Sequence, residues 1–447
     1  MGYTITALAA LVVTAILLVK RRTRPQADLF YPPLAYPAVS YPDYPDLNFA
    51  VISDTHYYDR SLGDSGPAFE AYLLTDRKLV KESTELIELA IDEILHSNAD
   101  VVLIPGDLSC EGELLSHRGM AKALYRLKDN GRRVFVIPGN HDINMVHGAV
   151  RYRGIETEQA ESISAEQFAD IYRDFGYADA LYRDDQSLSY VAPISERLWL
   201  LAIDTCRYRD NTADIDQVGS KLTQPLIDWL TTILKKAAAQ NIAVMAMIHH
   251  GVVEHWAGQG KLHPDFLVED YKRFNRFLAL AGVRLAFSGH YHSQDIALAD
   301  YEKDGFLYDI ETGSLVTPPC PIRYATIKDN KIIIRSDNLI EKLRPGSAFA
   351  EEAEAFVLET LEYEIINTLR KYLVTDRDAL LLAEYAAKAF VAHARGDESP
   401  DLKPFFDSKQ LSIWGRFIYT RQKKMIDNLW SNLPPADLNL TLDLKAR

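Results

Sequence analysis

Five short clusters of polar residues, each placed just after an apolar run, constrain this chain more than any other feature. Asp54-Thr55-His56 follows Ala50-Val51-Ile52, Gly106-Asp107 follows Val101-Val102-Leu103-Ile104, and Gly139-Asn140-His141-Asp142 follows Val134-Phe135-Val136-Ile137. Downstream, His249-His250 ends the run Ile242 to Ile248, and Gly289-His290-Tyr291-His292 ends Arg284 to Phe287. The apolar runs read as strands. Open α/β sheets collect their sites at strand ends. A lone histidine is usually a packed core residue. Six of the twelve histidines (His56, His141, His249, His250, His290 and His292) lie at such ends beside Gly, Asp or Asn, and isolated packing does not explain that distribution.

The remaining pattern sets the architecture. Apolar residues recur at helical spacing over Leu79 to His96, Leu114 to Asn130 and Leu226 to Gln240. Ser164 with Gln167 forms a capping box that predicts a helix over Ala165 to Asp174. Further strands are expected at Ser189 to Ala192, Leu198 to Ile203 and Phe306 to Ile310, and a hairpin around Asp329-Asn330. Alternating βα units followed by paired strands indicate layered α/β architecture. Beyond Leu343-Arg344-Pro345-Gly346 strand signals almost vanish, and Glu351 to Tyr372, Ala379 to Ala394 and Ser412 to Leu433 read as helices. The expected division is an N-terminal anchor over 1–24, a Pro/Tyr-rich linker over 25–46, a catalytic domain over 47–345 and a helical domain over 346–447. That last domain would dock on the core or extend over its site, and could mediate self-association.

The anchor expectation rests on Tyr3 to Val19, an apolar run interrupted only by threonines and followed at once by Lys20-Arg21-Arg22-Thr23-Arg24. At about 17 residues the run is near the lower limit for a membrane helix. Basic residues after the run, not before it, favour an uncleaved anchor over a signal peptide. The positive-inside rule would put the catalytic domain in the cytoplasm, with the opposite side left open. Four Tyr-Pro pairs between Tyr31 and Pro45 predict an extended spacer or a strap lying on the core. A net charge of −14 argues against a nucleic-acid polymer as partner, although bound cations would still admit a small phosphate ester. Cys110, Cys206 and Cys320 are too scattered for a zinc site or a disulfide framework.

Taken together, Asp-x-His, Gly-Asp, Gly-Asn-His-Asp, His and Gly-His-x-His resemble the calcineurin-like metallophosphoesterase superfamily, from about Leu47 to Asp337. Glu113 with Ser116-His117, and Asp174-Phe175-Gly176-Tyr177, look most like the bacterial cyclic-nucleotide phosphodiesterase-like branch that carries a C-terminal helical domain. The resemblance implies a four-layer αββα sandwich and a two-metal hydrolase. Asp54, His56 and His292 suit one ion, Asn140, His249 and His290 the other, and Asp107 can bridge them with its two carboxylate oxygens. His250 is the alternative to His249 and otherwise lies behind the ligands. Mixed N/O ligation favours manganese, iron or zinc. By resemblance His141 reaches the substrate, with Asp142 orienting its imidazole as a carboxylate does at other histidine-centred sites. The expected reaction is attack of a metal-bridging hydroxide on the phosphorus of a small ester such as a cyclic nucleotide. A phosphomonoesterase, an envelope- or lipid-linked phosphate hydrolase and a non-catalytic scaffold of the same fold are the alternatives. Tyr57, His117, Asn144, Arg153 and His255 lie beside the motifs and are candidate pocket residues.

Overall fold

Alternation of side chains divides the core. In the strand Ala243–Ile248 every residue is buried. Ala243, Met245 and Met247 join one apolar cluster, and Val244, Ala246 and Ile248 join another. Successive side chains of a strand point to opposite faces, so this strand is covered on both. In the computed structural model, which describes residues 28–33 and 42–445, it is the middle of a seven-stranded sheet. The spatial order is Asp295–Asp300, Phe306–Glu311, Leu285–Ser288, Ala243–Ile248, Leu198–Ile203, Tyr190–Ser195 and Tyr182–Arg183. A six-stranded sheet runs Asn439–Asp443, Lys331–Asn338, Pro321–Lys328, Leu47–Val51, Val101–Ile104 and Arg133–Val136.

The two sheets pack face to face. Phe49 meets Phe287 edge-on at 5.2 Å, and the Tyr190 hydroxyl donates to the Val136 carbonyl at 2.8 Å. Helices Ser83–His96 and Leu114–Asp129 pack on the six-stranded sheet, and Gln224–Ala239 and Tyr271–Leu280 on the seven-stranded one. The result is the expected αββα arrangement. Leu47–Val51, Val101–Ile104 and Arg133–Val136 are parallel neighbours, as are Leu198–Ile203, Ala243–Ile248 and Leu285–Ser288. Because they run parallel, the loops that follow these strands leave each sheet at one end.

Local chemistry sets the element limits. Ser164 and Gln167 form the expected reciprocal cap, but the helix ends at Ile171, because Phe175 and Gly176 leave helical backbone. Gly176 has φ +120° and lies against the Tyr190 ring, which leaves no room for a side chain. Asp329 and Asn330, at φ 51° and 57°, make the two-residue hairpin turn between Pro321–Lys328 and Lys331–Asn338.

The C-terminal region departs from an all-helical reading. Helices Phe349–Lys371, Asp376–Arg395 and Ile413–Leu429 share a core that also takes in Trp256, Phe266 and Tyr291 from the sandwich loops. The chain then returns, and Asn439–Asp443 pairs antiparallel with Lys331–Asn338 as the edge strand of the six-stranded sheet. Five residues with only Leu440 and Leu442 apolar are too short a pattern to read as a strand in isolation.

The N-terminal readings have different outcomes. Of the two readings of the Tyr-Pro segment, its described part takes the strap. Tyr31 packs on Phe277 at 5.5 Å, and the buried Tyr44 donates its hydroxyl to the Val244 carbonyl at 2.6 Å. Among the described residues no helix is long and apolar enough to cross a membrane. The run Tyr3 to Val19 and the pair Tyr36-Pro37 lie outside the described residues. The expectation of a membrane-anchored protein is therefore withdrawn.

Candidate metal centre

Each motif bends sharply as its strand ends. Asp54, His56, Asp107, His290 and His292 all have positive φ, between 38° and 75°. Non-glycine residues rarely adopt this conformation, and its cost is tolerated mainly at functional sites. Neighbouring glycines make the approach possible. A Cβ on Gly139 would collide with the Asp107 carboxylate, and one on Gly289 with Ser53 and Asp54.

The seven expected metal ligands converge between the two sheets. Asp54, His56, Asp107 and His292 each present a donor atom within 4.8 Å of the others, as do Asp107, His249 and His290. Asp107 belongs to both groups. Its Oδ2 lies 3.7 Å from His56 Nε2 and 3.5 Å from His249 Nε2. His292 Nε2 is 3.4 Å from Asp54 Oδ1 and 3.3 Å from His56 Nε2, and Asn140 Oδ1 is 3.0 Å from His249 Nε2. Donors at about 2.1 Å from a shared ion stand roughly 3–3.5 Å apart, so the spacing fits two ions flanking one carboxylate.

Supporting hydrogen bonds select the ligating nitrogens. His249 Nδ1 donates to the Pro105 carbonyl at 2.8 Å, leaving Nε2 toward Asp107. His290 Nε2 donates to the Asp265 carbonyl at 3.2 Å, leaving Nδ1 for an ion. Such partners fix the tautomer of a ligating imidazole. Burial alone would raise the Asp107 carboxyl, but His249, His141 and His56 outweigh it and hold the group well below the usual range. Burial opposes a charged His249, yet Asp107 lifts that imidazole to about 9. Burial, and then the Lys78 ammonium, push His56 well below its ordinary value, which keeps it in the neutral form that binds metal.

His141 stands beside this centre, its ring 5.2 Å from that of His56 and its backbone N–H donating to Asp107 Oδ1 at 2.8 Å. Its imidazole is not oriented by Asp142. The orienting carboxylate is Glu111, whose Oε2 is 3.0 Å from His141 Nδ1. Burial lowers the His141 imidazole, but Glu111 and Asp107 outweigh that effect and raise it to about 9. Asp142 instead staples the loops. It accepts the backbone N–H groups of Leu108, Ser109 and Gly139 at 2.8–3.1 Å. Burial and the nearby Asp107 raise its carboxyl to about 7.

Three other candidates also support the site without lining it. His250 is held by the Thr205 hydroxyl at 2.9 Å and the Val218 carbonyl at 3.1 Å, behind His249 and His290. His117 is buried between the Tyr172 hydroxyl at 2.9 Å and the Asp142 carbonyl at 2.7 Å. The Tyr57 ring packs over Gly119 on the helix Leu114–Asp129. Asn144 donates to the Tyr208 carbonyl, Arg153 pairs with Glu158 on the surface, and His255 belongs to a separate buried cluster.

Sequence reasoning missed Glu111, Arg77, Lys78 and Glu364, which line the cleft together with His141 and Asn140. Lys78 is buried, 3.2 Å from Asp76 and 3.5 Å from His56 Nδ1. In sequence, Thr75-Asp76-Arg77-Lys78 reads as a solvated turn. Glu111, four residues past Asp107, offered only a weak signal. Glu364 reaches the cleft from the C-terminal helices, which no local pattern indicates.

A four-layer sandwich with two donor groups sharing one aspartate defines a two-metal site. The model of the calcineurin-like phosphoesterase family matches residues 47–294, more than half of the chain. The chain therefore belongs to that family and so to the class of metal-dependent phosphoester hydrolases. A segment of 52 residues is 40% identical to a protein described as a probable cyclic nucleotide phosphodiesterase from Vesicomyosocius okutanii, covering 12% of this chain and 21% of that relative. Among solved structures, a dimetal phosphatase from Danio rerio aligns with TM-score 0.47 and 14% identity over 65% of this chain and 96% of its own. A purple acid phosphatase from yellow lupin aligns with TM-score 0.37 and 13% identity over 68% and 52%. The family assignment rests on the matched segment, not on these overlaps.

Proposed function

We propose that the chain hydrolyses small phosphodiesters, cyclic nucleotides among them, at the Asp107-centred site. The observation that carries this reading is the shared position of Asp107 between two donor groups, with His141 at the cleft beside them. Two bound cations would supply charge neutralisation at the phosphoryl group and a nucleophile available near neutral pH. The chain's own residues do the rest. Glu111 accepts the Nδ1 proton of His141, so Nε2 is the atom that passes a proton to the departing oxygen. Arg77 and Lys78 line the cleft and offset the charge of an incoming phosphate. The diester preference draws on the short segment shared with the probable cyclic nucleotide phosphodiesterase.

The test is a steady-state comparison of cyclic nucleotides, linear diesters and monoesters with manganese added. A clear preference for monoesters removes the diester reading. An Asp107→Asn variant should lose metal from the Asp107-centred site and nearly all turnover; full activity in that variant would remove the two-metal reading.

A further inference from the structure

A second group of donors lies where the C-terminal helices meet the sandwich. Asp295 opens the strand Asp295–Asp300, three residues after His292. It faces His393, in the last turn of the helix Asp376–Arg395, and Glu398, just past the capping residue Gly396. His393 Nδ1 is 2.9 Å from Glu398 Oε1 and 3.8 Å from Asp295 Oδ2. One donor from each residue lies within 4.8 Å of the others, the same criterion met by the two groups of the metal centre. Among the described residues it is the only such group outside that centre.

The unpartnered oxygens of this group point to a cation as their ligand. Asp295, His393 and Glu398 are between 1% and 5% exposed, yet Asp295 Oδ2 and Glu398 Oε2 have no hydrogen-bond partner. A buried carboxylate oxygen left unsatisfied is costly unless it is paired or bound to metal. The surroundings are rich in buried carboxyl groups. Asp295, Asp309, Glu311, Glu398 and Asp437 are all buried, against Arg323, His255 and His393. His255 is already engaged, with Nδ1 2.7 Å from Asp295 Oδ1 and Nε2 3.3 Å from Asp309 and 3.4 Å from Glu311. The Arg323 guanidinium donates to the main-chain carbonyls of Glu311, Asp437 and Asp295 and to Ser336, not to the carboxylates.

We propose that Asp295, His393 and Glu398 bind a third divalent transition-metal ion with a structural role. One imidazole and two carboxylates suit zinc, with manganese or iron next, and disfavour magnesium. The ion staples the C-terminal helices to the loop that carries His290 and His292. The same junction is already joined by the Gln294 N–H donating to the Ala394 carbonyl at 3.0 Å. At Gly396 (φ +69°) a Cβ would strike the Gln294 backbone, so the two segments approach as closely as two chains can.

The test is metal content by mass spectrometry on the full chain, loaded with zinc and dialysed. An Asp107→Asn/His249→Gln variant weakens the catalytic centre, and Glu398→Gln removes one donor of the third site with little change of shape. Wild type should hold one ion per chain more than Glu398→Gln. The Asp107→Asn/His249→Gln variant should keep one zinc ion, which adding Glu398→Gln removes. Its melting temperature should fall by several degrees on chelation and recover with zinc. Equal metal content in wild type and Glu398→Gln overturns the proposal, as does an ion that survives in the combined variant. If Glu398→Gln does not fold, crystals of the wild-type chain decide: an anomalous peak at the zinc edge between the three side chains supports the site, and none there overturns it.

Discussion

His141 and Glu111 behave as one unit, and replacing each should have a different size of effect. His141→Ala should retain both ions while turnover falls on the order of 10²-fold or more. Glu111→Gln keeps the imidazole but loses its charged partner, so a fall of about tenfold with unchanged metal content is expected. Loss of metal in either variant would show that the pair only props Asn140. His117 makes a prediction for stability. Burial lowers its imidazole to about 3, against about 6.5 in the unfolded chain. Below about pH 6.5 the unfolded chain binds a proton that the folded chain refuses. His117 therefore removes stability as pH falls, by roughly 1.4 kcal/mol per pH unit until about pH 3. Denaturant melts of wild type and His117→Asn between pH 6.5 and 4.5 should differ in slope by about one proton; parallel slopes would refute the assignment. Asp142 and Glu111 show the limit of reading residues along the chain. Asp142 adjoins His141 in sequence, yet its carboxylate turns away to cap three backbone N–H groups. Glu111 lies thirty positions earlier and does the orienting.

At the scale of the element, the hairpin Pro321–Lys328/Lys331–Asn338 was legible because Asp329-Asn330 tolerates left-handed backbone and the flanks alternate. Asn330 does more than turn the chain. Its Oδ1 accepts the Tyr44 N–H at 2.7 Å and its Nδ2 donates to Asp43. Asn330→Ala combines left-handed strain with two lost bonds, and a destabilisation of about 2–4 kcal/mol is expected. Asn330→Gly, which relieves the strain, should cost less; equal losses in chemical denaturation would assign the whole effect to the side chain. The strand Asp295–Asp300 went unread because it begins with a buried aspartate, a residue type depleted in strands.

For the whole molecule, the described segments before and after the sandwich are held by its core. Tyr44 spans the sandwich, donating to Val244 and accepting the Arg284 N–H at 3.0 Å. A chain beginning at Leu47 loses these bonds and the Asn330 contact. It should keep the centre but melt several degrees lower; an unchanged melting temperature would show that the strap contributes nothing. The returning strand Asn439–Asp443 couples the C-terminal helices to the six-stranded sheet, so unfolding should follow one transition and not two. The motifs that define the metal centre, the strands before them and the helical spans were all local patterns of side-chain type and period, which short-range sterics and burial translate directly into structure. The partner of each donor was not local. His56 meets His292 across 236 positions, Asn140 meets His249 across 109, and the last strand closes a sheet begun at Leu47. Only the packing of two sheets brings these groups together, because no period or propensity along the chain encodes which distant side chain fills a given space.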